Sequence, residues 1–175
     1  NGLDKLGLLS DCYGQTVGSG TDPKAPASVP VTWNNLTCSL VAMRPGYAQV
    51  GHPKIHQASD WQVYQNYIGK ITTPKLAEGT LTLSFKAMMY RNPLIGLTSS
   101  TALDNVTADK IIVNVIGGGT FEDGTTSKTI SGVSYSAFNT YTLAIKNATA
   151  DTQVEFTSPT SVPSTRWFID DICVK

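Results

Sequence analysis

Charge is scarce in this sequence, and what there is cancels: 13 Lys and Arg stand against 13 Asp and Glu, 15% of the chain, for a formal net charge of zero. A nucleic-acid-binding surface needs a basic face or stripe, and no cluster of Lys or Arg occurs anywhere, so nucleic acid is not an expected partner. No stretch approaches the roughly eighteen consecutive apolar residues of a membrane span. Histidine is limited to His52 and His56. Pro53 keeps His52 out of a helical conformation and no Glu lies between the two, which argues against a helical zinc pair. With no other histidine and no G-x-S-x-G elbow, Ser-His-Asp hydrolysis is equally unsupported. The only glutamates are Glu78, Glu122 and Glu155. Glu78 falls in a turn and Glu122 beside Gly124 in a hairpin loop, and the E-x-D-x-x-E pattern of sandwich glucanases is missing, so nothing marks a glycosidase pair. Enzymatic activity is therefore not expected. Three cysteines, Cys12, Cys38 and Cys173, allow at most one disulfide, and Cys38 and Cys173 sit in apolar runs where inert core thiols are expected.

What the chain has in quantity is Ser and Thr, about a fifth of its 175 residues, together with 15 Gly and 9 Pro. That composition favours strands and turns over helices, and the length suits one domain with a substantial core. Residues 1 to 30 read as a loop-rich N-terminal segment, with a strand or short turn within LDKLGLLSDCY, and regular strand structure is expected from Val31 onward. Strands are expected at Val31–Trp33, within 36–43, at Tyr47–Val50, within 67–72, at 80–90, 110–116, Ser127–Ile130, 140–146 and Gln153–Thr157. In TLTLSFKAMMY, Leu81, Leu83, Phe85 and Ala87 share one face, with Thr82, Ser84 and Lys86 on the other. This many strands separated by turn signals, with no convincing helix, predict an all-β, two-sheet antiparallel sandwich of jelly-roll type. GGGTFEDG lacks the Lys-Ser/Thr ending of a phosphate loop and reads as a glycine-rich hairpin or bulge. Asn35, Asn105 and Asn147 open N-x-Thr triplets, a number this composition produces by chance.

The closing stretch RWFIDDICVK organises the rest: apolar on both sides of Asp170-Asp171, it predicts a strand at the centre of a sheet. Strict alternation puts Asp170 with Phe168, Ile172 and Val174, and Asp171 with Ile169 and Cys173, so one carboxylate is expected to point inward. A buried carboxylate needs a partner. Two arrangements supply one: a structural calcium drawing also on Asp11 or Asp22, or hydrogen bonds from backbone amides of a neighbouring strand.

The segment GHPKIHQASDWQVYQN is a long connection rich in rings and amides. Sugars are recognised by flat aromatic faces and planar polar groups, and Trp61, Tyr64 and Tyr67 here, with Tyr90 and Arg91 at the end of a strand, supply that chemistry. The competing reading is that these rings cover the edge of the sandwich.

The order of GYAQVG (46–51), GKITTPKLAEGTLTLSFKA (69–87), NATADTQVEF (147–156) and RWFIDDICV (166–174) resembles the jelly-roll, galactose-binding-like, carbohydrate-binding modules of secreted gut-bacterial surface proteins, and also adhesive MAM-type domains. The resemblance covers Gly46 to the last residue. It implies a non-catalytic module binding glycan or polysaccharide, or alternatively a structural or adhesion domain contacting a protein or neighbouring domains. It also implies secretion or attachment at the cell surface, and a calcium site using Asp170 or Asp171, with Asp11 as the acidic residue near the first strand. The first residues, NGLDKLGLL, lack a charged-then-apolar leader pattern, so any signal peptide is expected elsewhere. The whole chain is expected to be the C-terminal module of a larger protein.

Overall fold

The computed structural model describes residues 11–12, 31–33, 36–39, 41–44, 47–51, 68–89, 109–159 and 166–175. They form the strands β1 (Asp11–Cys12), β2 (Val31–Trp33), β3 (Leu36–Ser39), β4 (Val41–Arg44), β5 (Tyr47–Val50), β6 (Lys70–Thr72), β7 (Gly79–Met89), β8 (Ile111–Ile116), β9 (Thr120–Phe121), β10 (Ser127–Ile130), β11 (Asn139–Ala148), β12 (Gln153–Thr157) and β13 (Trp167–Val174). No helix occurs among the described residues, and none is long and apolar enough to cross a membrane.

Two antiparallel sheets result, one of seven strands in the order β1-β4-β5-β13-β7-β11-β9 and one of six in the order β10-β8-β12-β6-β3-β2. The quartet β5-β13-β7-β11 belongs to the first and β6-β12-β8-β10 to the second. Between successive strands of these quartets the chain crosses from sheet to sheet, except from β8 to β10, which is the connectivity of a jelly roll. The expected fold class is the observed one.

Alternation produces the core. On β7, Leu81, Leu83, Phe85, Ala87 and Met89 are buried, as are Ile111, Val113 and Val115 on β8 and Val154 and Phe156 on β12. These apolar faces meet in one cluster, where Phe85 of the first sheet and Phe156 of the second lie edge to face at 5.0 Å between ring centroids. β13 lies between β5 and β7, as its apolar sequence predicts, and Trp167 at its start is fully buried.

Alternation fails near the end of β11, where the register shifts between Ile145 and Ala148 with Asn147 at φ 55°, and again within β13. Asp170 pairs with Lys86 but Cys173 pairs with Ser84, so Asp171 and Ile172 together oppose Phe85 in a β-bulge, with Asp171 at φ 50°. Aspartate tolerates this left-handed conformation better than most residues, and here the Asp171 N–H donates to Asp170 Oδ1 at 2.8 Å. The extra residue reverses the faces. Ile172 and Val174, not Cys173, pack against the core, and neither aspartate points inward, contrary to the sequence expectation. Cys38 is a buried core thiol, whereas Cys173 is half-buried outside the core cluster; both are unbridged.

Candidate functional site

The outer face of the six-stranded sheet is built by the residues that the core leaves over. Because Ile71, Val154, Phe156 and the odd-numbered residues of β8 turn inward, Lys70, Thr72, Gln153, Glu155, Thr157, Ile112 and Asn114 stand on the other side. Register then sets their neighbours: Glu155 lies directly opposite Thr72 on one side and Asn114 on the other, and Thr157 lies opposite Lys70 and Ile112. A groove of about 460 Å³ runs over this face, with Ile68, Ile112 and Pro159 as apolar walls and Lys70, Asn114 and Glu155 as its polar centre.

That polar centre is organised around one carboxylate. Asn114 Nδ2 donates to Glu155 Oε1 at 3.0 Å, and Lys70 Nζ donates to Glu155 Oε2 at 3.2 Å. The Glu155 side chain is 18% exposed and Lys70 is 49% exposed, so the pair sits at the mouth of the groove with the carboxylate deeper. A carboxylate accepts about four hydrogen bonds, and one per oxygen is used here, which leaves an acceptor site on each oxygen for an incoming O–H or N–H.

Hydrogen bonds beneath the groove stiffen it. Gln153 Nε2 donates to Thr73 O at 2.7 Å, Val154 N donates to Thr73 Oγ1 at 2.9 Å, and Thr157 Oγ1 donates to Gly69 O at 3.1 Å, so β6 and β12 are laced together by side chains as well as by the ladder. At the groove's end, buried Trp167 Nε1 donates to Ser158 Oγ at 3.1 Å and ties this face to β13 of the opposite sheet.

The aromatic residues singled out in the sequence, Trp61, Tyr64, Tyr67, Tyr90 and Arg91, lie outside the described residues. Tyr67 directly precedes Ile68, a wall of the groove, so the ring-rich segment leads into this site along the chain. Val50, Trp167 and Met89 are in register across β5, β13 and β7, so the chain leaves β5 and β7 and enters β13 at one end of the seven-stranded sheet.

The two aspartates of β13 have partners close by. Asp171 Oδ2 lies 2.7 Å from Lys86 Nζ, and this contact pushes the lysine pKa up. Asp170 Oδ1 is engaged by the Asp171 N–H. Asp11 pairs with Ala42 on β4, and β4 and β5 separate β1 from β13, a span of about 14 Å at normal strand spacing. No group of three or more His, Cys, Asp or Glu side chains comes together among the described residues, and the side chain of Asp11 lies outside them.

Two features escaped the sequence. The groove's polar centre joins β6, β8 and β12 from positions 70, 114 and 155, a juxtaposition that only register creates. On the opposite sheet, Tyr47, Phe138 and Phe168 form a half-buried aromatic cluster, with centroids 4.9 Å apart for Tyr47 and Phe168 and 6.0 Å for Tyr47 and Phe138. Gln49 beside it is 4% exposed, and its Nε2 has no partner among the described residues. The signal for the cluster was present: Tyr47 and Phe168 alternate with the core residues Ala48 and Ile169.

Fold and groove together define a jelly-roll β-sandwich with a polar cleft on one sheet. No protein-family model matches the chain, and no curated protein matches it. Among solved structures it is similar to a xylan-binding domain of Paenibacillus barcinonensis, at 8% identity and TM-score 0.42 over 96% of this chain and 92% of that one. It is similar also to the N-terminal cellulose-binding domain of Cellulomonas fimi β-1,4-glucanase C, at 14% identity and TM-score 0.39 over 77% and 81%. An arabinose-bound α-L-arabinofuranosidase matches at 11% identity and TM-score 0.45 over 83% of this chain, which spans only 22% of that enzyme.

Proposed function

We propose that this domain is a non-catalytic glycan-binding module of a secreted or surface-attached protein, and that the groove on the six-stranded sheet is where the glycan lies. The observation that carries this reading is the Lys70–Glu155–Asn114 network set between the apolar residues Ile68, Ile112 and Pro159. A pyranose presents the same two chemistries, a C–H face for apolar walls and a ring of hydroxyls for planar polar groups. Trp61, Tyr64 and Tyr67, which run into Ile68, are the proposed stacking residues, with Tyr90 and Arg91 as further contacts.

A second reading, contact with a protein or a neighbouring domain, draws on the Tyr47–Phe138–Phe168 cluster of the opposite sheet. A glycan-array screen, run with calcium and again with a chelator, separates the two. On the glycan reading the wild-type chain binds one glycan class, Asn114→Ala and Trp61→Ala each weaken binding about tenfold or more, and the melting temperature of both variants stays near wild type. Binding that survives both substitutions, or no binding on the array, refutes it; loss of binding in the chelator would show that the site uses calcium.

A further inference from the structure

The described residues lining the groove include one cation and one anion, and they are not equivalent. Lys70 is half-exposed on a long flexible stem, whereas Glu155 is four-fifths buried and accepts one hydrogen bond on each oxygen. Whatever enters the groove therefore meets a largely buried carboxylate. We infer that Glu155 is a charge filter: it restricts the groove to neutral glycans bearing adjacent hydroxyls and rejects those carrying carboxylate or sulfate groups. This inference rests on the glycan reading above and names the substrate class of the same site.

Two physical arguments lead there. The acceptor sites left on Oε1 and Oε2 are a carboxylate's width apart and match two neighbouring hydroxyl donors, each of which would make a charge-assisted hydrogen bond. An anionic sugar has nothing to donate at its charged group. To pair with Lys70, the one cationic side chain among the described residues lining the groove, it would have to share that ammonium with Glu155. Two anions would then sit side by side, one of them the largely buried carboxylate of Glu155, an arrangement disfavoured by both burial and repulsion. Asn114 cannot compensate, since its amide neutralises no charge.

Glu155→Gln tests this. The amide keeps the shape of the side chain and its oxygen still accepts from Asn114, while the groove loses the negative charge that balances Lys70. Wild type, E155Q and Lys70→Met are compared on an array of neutral oligosaccharides and oligosaccharides containing uronate or sulfate, with thermal melts as a folding control. The expected result is that wild type binds only neutral glycans, that E155Q loses about tenfold on these and gains uronate or sulfate binding, and that K70M, which keeps the carboxylate, gains none. Wild-type binding of acidic and neutral glycans alike would overturn the filter and leave the glycan reading standing. So would an E155Q variant that melts as wild type without gaining acidic ligands, or acidic binding gained by K70M. Silence of the wild type on every glycan would remove both.

Discussion

Asp123, in the turn between β9 and β10, shows how much a single exposed side chain can be tuned. Its carboxylate accepts from Thr125 Oγ1 at 2.7 Å and Thr125 N at 3.1 Å, and it pairs with Lys128 Nζ. Lys128 first and Thr125 second lower its pKa from the ordinary 3.8 to about 2. A carboxylate whose folded value lies below its unfolded value adds stability that is complete above the unfolded value and disappears as pH falls through the folded one. Asp123→Asn is therefore expected to soften the loss of stability between pH 4 and pH 2, as a small change of slope because the turn is exposed. Urea titrations along a pH series would show it, and identical slopes for wild type and variant would contradict it. Asp171 makes the complementary point. No residue type announces a bulge in WFIDDICV, so the reversal of faces after Asp170 was illegible, and with it went the expectation of an inward carboxylate and a core Cys173.

At the scale of the element, the glycine run after β8 is a docking device. Gly117, Gly118 and Gly119 all have positive φ, and the turn of 149–152 closes on them: Thr149 Oγ1 donates to Gly117 O at 2.9 Å and Thr152 Oγ1 to Gly118 O at 2.8 Å. A Cβ on Gly117 would lie 2.0 Å from the Asp151 carbonyl oxygen, on a backbone at φ +77°. Gly117→Ala is expected to cost more than about 2 kcal/mol in denaturant unfolding, from left-handed strain plus the displaced turn. The sequence showed these glycines as a hairpin or bulge, but β9, two residues long between them and the Asp123 turn, was too short to display a period. Long strands behaved differently. β7, β10 and β12 appear where alternation and turn signals put them, with ends that agree to within a residue.

For the whole molecule, what was legible was what each strand carries within itself, namely which face is apolar and where it turns. What was hidden was how strands lie beside one another, and the groove is made of nothing else: Lys70, Asn114 and Glu155 are strangers in the chain and neighbours across the sheet. The core between the sheets should dominate global stability. Phe156→Ala, which removes one ring of the Phe85–Phe156 pair, is expected to cost about 3–5 kcal/mol in denaturant unfolding, far more than Glu155→Gln one residue away. Comparable losses for the two would mean that the groove, not the core, holds the sheets. The central position of β13 has one more consequence. Among the described strands β5 and β7 are joined only through it, so without residues 167–174 in place the larger sheet is two halves with open edges. Such a chain makes its decisive pairings across long sequence separations, which predicts slow folding.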